Sequence, residues 1–232
     1  SFAQSWTAPD VYLDSLPSTA SYVIQTDGSY VWATRYDGKI MFSGTNASEI
    51  INSALNSGSS VYVKDGNYTL TTKILINTDH HHLIGESNNV FFKSSLLPCF
   101  EIDGSNGGNA GGPHPTSGLD TVYSLQDIYV SNIYFYYTGS VTSGSFVHIH
   151  GVQNDYLYDG GAQLDNLVIR SSETSKPSNT AFIGLNFHDN VGVILNNVNV
   201  NYFGTGIRDA DVYQGDMNTF NTVQMSYCYY GY

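Results

Sequence analysis

Residues 196–207 read NNVNVNYFGTGI, and residues 221–232 read NTVQMSYCYYGY. At an offset of 25, Asn196 meets Asn221, Val198 meets Val223, Val200 meets Met225, Tyr202 meets Tyr227 and Gly206 meets Gly231. Earlier copies of the first half stand at Ser131-Asn132-Ile133-Tyr134-Phe135 and Asp165-Asn166-Leu167-Val168-Ile169, so the offsets run 34, 31 and 25. Each copy is a polar residue or pair followed by apolar-x-apolar, the period of a half-buried strand. A unit this short cannot bury its apolar positions alone. It can if each copy forms one coil stacked on the next around an elongated core. Parallel stacking at about 4.8 Å pairs every strand with the copies before and after it. The Asn at the corner satisfies backbone groups there and stacks as a ladder. The pattern predicts an all-β fold, a parallel β-helix.

A second strand family obeys the same rule. Phe100-Glu101-Ile102-Asp103-Gly104 matches Val147-His148-Ile149-His150-Gly151 and Ile183-Gly184-Leu185-Asn186, and Gly206-Ile207-Arg208 continues the column. Upstream, Asp27-Gly28 and Asp37-Gly38 separate three β-prone runs within residues 21–42, which predicts a β meander. Residues 46–56 form the one helical pattern. Thr45 or Asn46 can cap it, Glu49 suits its first turn, Gly58 can end it, and Ile50, Ile51, Ala54 and Leu55 make one apolar stripe. Such a helix, lying before the first coil, would cover the open end of the stack. Residues 1–20, with isolated Phe2, Trp6 and Leu13, read as a docking arm, and residues 104–118 as a Gly-rich insertion between coils. The aromatic C-terminal stretch from Tyr227 shows no polar cap, so the stack is expected to continue or to meet a partner there.

The stretch from Phe42 to Lys93 resembles the start of the right-handed β-helix proteins of the pectate-lyase-like superfamily. That family has an Asp- or Asn-led helix, then v-y-v-x-x-G-x-Y-x-l, then l-x-G-e. Here those are residues 46–55, Val61-Tyr62-Val63-Lys64-Asp65-Gly66-Asn67-Tyr68-Thr69-Leu70 and Leu83-Ile84-Gly85-Glu86. Val198-x-Val200-x-Tyr202-Phe203-x-x-Gly206-Ile207 is similar to its common coil signature. The resemblance implies right-handed winding, with residues 21–58 as meander and capping helix and 59–232 as β-helix. It says little of function, because lyases, hydrolases, tailspikes and adhesins share the fold.

Composition narrows the function. The chain has 232 residues, with 8 Lys and Arg against 20 Asp and Glu, a net charge of −12, and only 12% charged residues. No cation occurs between Lys93 and Arg170, which excludes a phosphate-neutralising nucleic-acid binder. No apolar run is long enough to span a membrane. Cys99 and Cys228 are too far apart for a disulfide framework. An uncharged surface rich in Tyr, Asn and Ser, with sequons at Asn46 and Asn67, suggests an extracellular location, on a virion or cell surface. This composition resembles surface and virion proteins of thermoacidophilic archaea and their viruses, among which a tailspike or attachment fibre is the preferred match.

If Ile102, Ile149 and Leu185 point inward, Glu101 and Asp103, His148 and His150, Asn186 and Arg208 line one outer face on successive coils. Carboxylates beside imidazoles suit metal binding or acid–base work, while an incidental solvated face is the plain alternative. From this set Asp103, His150 and Arg208 are the catalytic candidates, Glu101, His148 and Asn186 the glycan-binding ones, and no metal or cofactor is assigned. His80-His81-His82 reads as an exposed corner with no carboxylate fixed nearby by sequence, and His188-Asp189 as a turn pair. Asn77-Thr78-Asp79 matches one polygalacturonase motif by letters, but the chain has no Asp-Asp and no Gly-His-Gly to complete it. Tyr134, Tyr136 and Tyr137 read as exposed, suited to a neighbouring subunit more than to a sugar.

These readings converge on an extracellular tailspike or adhesin whose shaft contacts a cell-surface glycan. Its expected partners are further copies of itself, or virion or surface base proteins held by the arm. The rivals are a polysaccharide lyase or glycoside hydrolase, and a structural filament subunit.

Overall fold

The structure, a computed structural model, describes residues 20–104, 125, 127–152, 161–188, 192–209 and 218–231. The expected docking arm, apart from residue 20, and the Gly-rich insertion after Gly104 lie outside the described residues, as does Asp189. Among the described residues the protein is all-β with one α-helix, as its sequence predicts. In chain order the elements are β1 (Tyr22–Thr26), β2 (Val31–Arg35), β3 (Ile40–Gly44), α1 (Ala47–Ser57), β4 (Ser60–Val63), β5 (Gly66–Thr69), β6 (Ile74–Ile76), β7 (His82–Gly85), β8 (Val90–Ser94) and β9 (Phe100–Asp103). There follow β10 (Ile128–Ser131), β11 (Tyr134–Tyr137), β12 (Gly144–His150), β13 (Ala162–Ser171), β14 (Phe182–His188), β15 (Val193–Asn201), β16 (Thr205–Asp209) and β17 (Thr219–Ser226). Among the described residues twelve strands share one sheet, and the other five form a second, ordered β16-β14-β12-β9-β6.

Strands β1 to β3 pair antiparallel, turning at Gly28 (φ 96°) and Gly38 (φ 81°), and the named strands elsewhere pair parallel. The meander is not separate from the repeats, because Tyr22, Val23 and Ile24 of β1 pair with Val61, Tyr62 and Val63 of β4. The internal repeats meet in register. Val198 lies beside Val223 and Val200 beside Met225, while Leu167 and Ile169 lie beside Val198 and Val200. Tyr202 and Tyr227 stack with ring centroids 4.7 Å apart and planes within 3°.

One column of corner residues takes a left-handed backbone: Asn132 (φ 57°), Asn166 (φ 52°), Asn197 (φ 52°) and Thr222 (φ 54°). Asn tolerates that conformation better than other non-glycine residues, which is why it recurs there. The side chains form a ladder. Asn197 Nδ2 donates to Asn166 Oδ1 at 2.8 Å, Asn166 Nδ2 to Asn132 Oδ1 at 3.2 Å, and Asn132 Nδ2 to the Gly85 carbonyl at 3.2 Å. Gly85 begins this column because a Cβ there would come within 2.0 Å of the Asn132 carbonyl oxygen.

The inward positions pack into one core in which aromatic rings run from strand to strand. Phe135 touches Phe92 and Phe100 at centroid distances of 5.7 and 5.2 Å, and Phe203 touches Phe182 at 4.8 Å, all fully buried. Helix α1 buries Ile50, Ile51, Ala54 and Leu55 against this core. Its N-cap is Asn46, which accepts from the Ser48 amide, and it ends at Gly58 in extended rather than left-handed backbone. Asn52 satisfies the strand edge it covers, donating to the Lys73 carbonyl and accepting from the Leu75 amide. Cys99 is buried, Cys228 is half-buried, and both are free thiols. Among the described residues, no helix is long and apolar enough to cross a membrane.

Candidate functional site

The outer face of the second sheet carries most of the residues singled out from the sequence. In β9 and β12, Phe100, Ile102, Val147 and Ile149 point into the core, so alternation turns Glu101, Asp103, His148 and His150 outward. Register then sets His148 beside Glu101 and His150 beside Asp103. Glu101 Oε1 lies 3.3 Å from His148 Nδ1 and 3.6 Å from His150 Nε2, and Asp103 Oδ1 lies 3.2 Å from His150 Nε2. The two imidazoles stack at 4.8 Å, 20° from parallel. Glu101 is only 8% exposed, a burial that a carboxylate tolerates when paired, and the Lys73 ammonium pairs its other oxygen, Oε2.

The next strand needs a correction. Sequence alignment set Ile183 beside Val147 and Leu185 beside Ile149, but Leu185 pairs with Val147 and Asn186 with His148. The slip is two residues, so every side chain keeps its face while the neighbours change. Arg208 continues the column beside Asn186, and its Nε donates to Asn186 Oδ1 at 2.8 Å. Asn186 is buried and Arg208 exposed. Acidic, imidazole and amide-guanidinium groups thus follow one another on adjacent strands.

No carboxylate is fixed near His80 and His82 by sequence, and the fold supplies one: Asp127 bonds both. Its Oδ2 lies 3.0 Å from His80 Nδ1 and its Oδ1 3.4 Å from His82 Nε2. Burial raises the Asp127 carboxyl pKa, but the hydrogen bonds from His80 and His82 outweigh it and leave the group below the ordinary aspartate value. The two imidazoles use opposite oxygens of one carboxylate, a structural clasp rather than a convergent site. His81 turns away and bonds the carbonyls of Asp79 and Leu55, tying this corner to α1. Of the sequons, Asn67 is exposed, while Asn46 Oδ1 is engaged by the Ser48 amide and the Thr71 hydroxyl.

A second surface was only half visible in the sequence. Strands β5, β8, β11 and β13 bring Asn67, Phe91 and Tyr134 into one row and Lys93, Tyr136 and Arg170 into the next. These six residues line a shallow open groove of about 320 Å³, at the small end of the range for ligand pockets. Phe91 and Tyr134 lie 4.8 Å apart at 35°, and Tyr136 meets Tyr134 edge-on at 6.2 Å. Lys93 Nζ sits 5.9 Å from the Phe91 ring, and Arg170 4.9 Å from the Tyr202 ring, which stacks on Tyr227. Tyr137, expected to be exposed with its neighbours, is buried in the core and donates to the Ser140 carbonyl. The missed signal was alternation: Phe91-x-Lys93, Tyr134-x-Tyr136 and Val168-x-Arg170 share one parity once the repeats are aligned. Such rings can stack on the apolar face of a sugar, and the two cations beside them can pair with its acidic groups.

No profile of a known protein family matches the chain, and no curated protein matches it. Among solved structures, ORF18 of Geobacillus virus E2 is similar at 16% sequence identity with a TM-score of 0.49. The superposition takes in 79% of this chain and 39% of the viral one, so the chain spans well under half of that protein.

Proposed function

We propose that the protein is an extracellular attachment protein, a virion spike or surface adhesin, that binds an acidic glycan. In this reading residues 59–232 wind as a right-handed parallel β-helix shaft, residues 21–58 close one end of it, and residues 1–20 dock on a base or on further copies of the chain. The in-register parallel strands, the Asn ladder and the covering helix support such a shaft. Right-handed winding follows from the near-universal hand of parallel crossovers. One observation carries the glycan reading: the Phe91–Tyr134–Tyr136 groove holds Lys93 and Arg170, two of only eight cations in a chain of net charge −12.

Binding of fluorescently labelled acidic and neutral polysaccharides tests the reading. Acidic chains should bind, and Tyr134→Ala with Tyr136→Ala should weaken binding about tenfold or more, about 1.4 kcal/mol. Equal binding by the double variant would overturn it.

The Asp103–His150 contact of 3.2 Å favours a second reading, a polysaccharide lyase or hydrolase acting along the Glu101, His148 and Asn186 face with Arg208. Turnover abolished by Asp103→Asn in a folded protein would put that reading first.

A further inference from the structure

The Glu101 face of the second sheet lies apart from the aromatic groove. Three donor groups converge on it from two strands: one carboxylate oxygen of Glu101 and one ring nitrogen each of His148 and His150 all lie within 4.8 Å of one another. The imidazoles turn opposite nitrogens, Nδ1 of one and Nε2 of the other, to the same carboxylate oxygen. A tetrahedral ion with bonds of about 2.0–2.1 Å needs donors about 3.3 Å apart. The two carboxylate–imidazole distances, 3.3 and 3.6 Å, are close to this, and binding would turn the stacked imidazoles, 4.8 Å apart, so that both lone pairs aim at one ion. Backbone pairing on both sides of β12 fixes where these side chains start.

The surroundings are those of a ligand set. Lys73 holds Glu101 Oε2, which leaves Oε1 turned to the imidazoles, as an outer-shell partner orients a metal-bound carboxylate. Asp103, 3.2 Å from His150 Nε2, adds a second negative charge, so with neutral imidazoles Lys73, Glu101 and Asp103 leave the cluster one charge negative. Nitrogen donors select against calcium and magnesium, which take oxygen, and favour zinc and its first-row neighbours.

We propose that Glu101, His148 and His150 form a binding site for a zinc-class divalent transition-metal ion, with Lys73 as the outer-shell partner of Glu101 and Asp103 beside the ion, at the same nitrogen of His150.

Cobalt(II) titration of the full chain tests this, reading the visible absorption bands of tetrahedral cobalt together with equilibrium dialysis. The expected result is one ion per chain, displaced by zinc and unaffected by excess magnesium or calcium. Removing an outer-shell partner costs about 10–100-fold in metal affinity, so His148→Ala and His150→Ala should each cost at least that. The His80→Ala/His82→Ala double variant should bind as the parent does. Glu101→Gln, nearly isosteric, decides the matter if far-ultraviolet circular dichroism shows that the His variants unfold: it should lose the tetrahedral bands. Absence of bound cobalt, bands that survive His148→Ala and His150→Ala, bands that survive Glu101→Gln, or bands lost only in the His80/His82 variant would each overturn the proposal.

Discussion

Asp165 joins two lines of side chains and is the acceptor for both. Asn196 donates to its Oδ1 at 2.7 Å, and Tyr129 and Gln163 donate to its Oδ2 at 3.0 and 2.8 Å. Asn221 extends the line by donating to Asn196 at 2.9 Å. Asp165→Ala would strand three partly buried donors, each an unpaired polar group of the kind that costs about 1–3 kcal/mol when fully buried. With allowance for partial exposure, the expected loss is about 2 kcal/mol in urea unfolding, and Asp165→Asn, which keeps one oxygen, should lose about half as much. Asp127 offers a pH test. Its folded pKa is depressed by the His80 and His82 bonds, so its contribution is fully present above the unfolded value of about 3.9 and is lost as pH falls through the lower, folded value. The effect is about 0.5 kcal/mol or less because both ends of the clasp are exposed. Acid unfolding curves of Asp127→Asn and the parent should therefore separate above the unfolded value of about 3.9 and converge as pH falls through the lower, folded value.

At the scale of the element, the corner column makes the sharper prediction. Asn132, Asn166 and Asn197 hold left-handed backbone with the residue type suited to it, and Thr222 holds the same conformation with a β-branched side chain. Thr222→Asn should relieve that strain and lengthen the ladder, stabilising the protein by about 1 kcal/mol in thermal unfolding. Helix α1 depends on its cap, and Asn46→Ala should cost about 1 kcal/mol, or somewhat more with the Thr71 bond also gone. Parity within β11 separates packing from surface: Phe135→Ala should cost about 3–5 kcal/mol and Tyr134→Ala under about 1. These elements were legible because each has a short-range cause. Asp-Gly set the hairpins, the stripe Ile50-Ile51-Ala54-Leu55 set the helix, and polar–apolar alternation set the strands. The register of β14 was not legible, since Ile183-Gly184-Leu185-Asn186 fits its neighbour equally well two residues along. In the structure Phe187, just past that stretch, lies beside Ile149 and His188 beside His150.

For the whole molecule, charge is the quantity that reaches across strands. A net charge of −12 repels an anionic ligand at long range, but at 0.1 M salt that field is screened within about 10 Å, so Lys93 and Arg170 act locally. Acidic-polysaccharide binding should therefore weaken as salt rises, and Lys93→Ala with Arg170→Ala should flatten that dependence. Surface sites were less legible than the fold for a related reason. Glu101, Asp103, His148 and His150 were found because a repeat ran through them, whereas Lys93 and Arg170 come from copies 77 positions apart and meet only through the intervening strand of Tyr136. The Asn ladder has one more property of the whole. Each of its amides gives its hydrogen to the earlier pass, so a finished layer always offers the next one a bare oxygen. The column therefore has a direction: its side-chain dipoles add along the stack from Asn197 to Gly85 instead of cancelling.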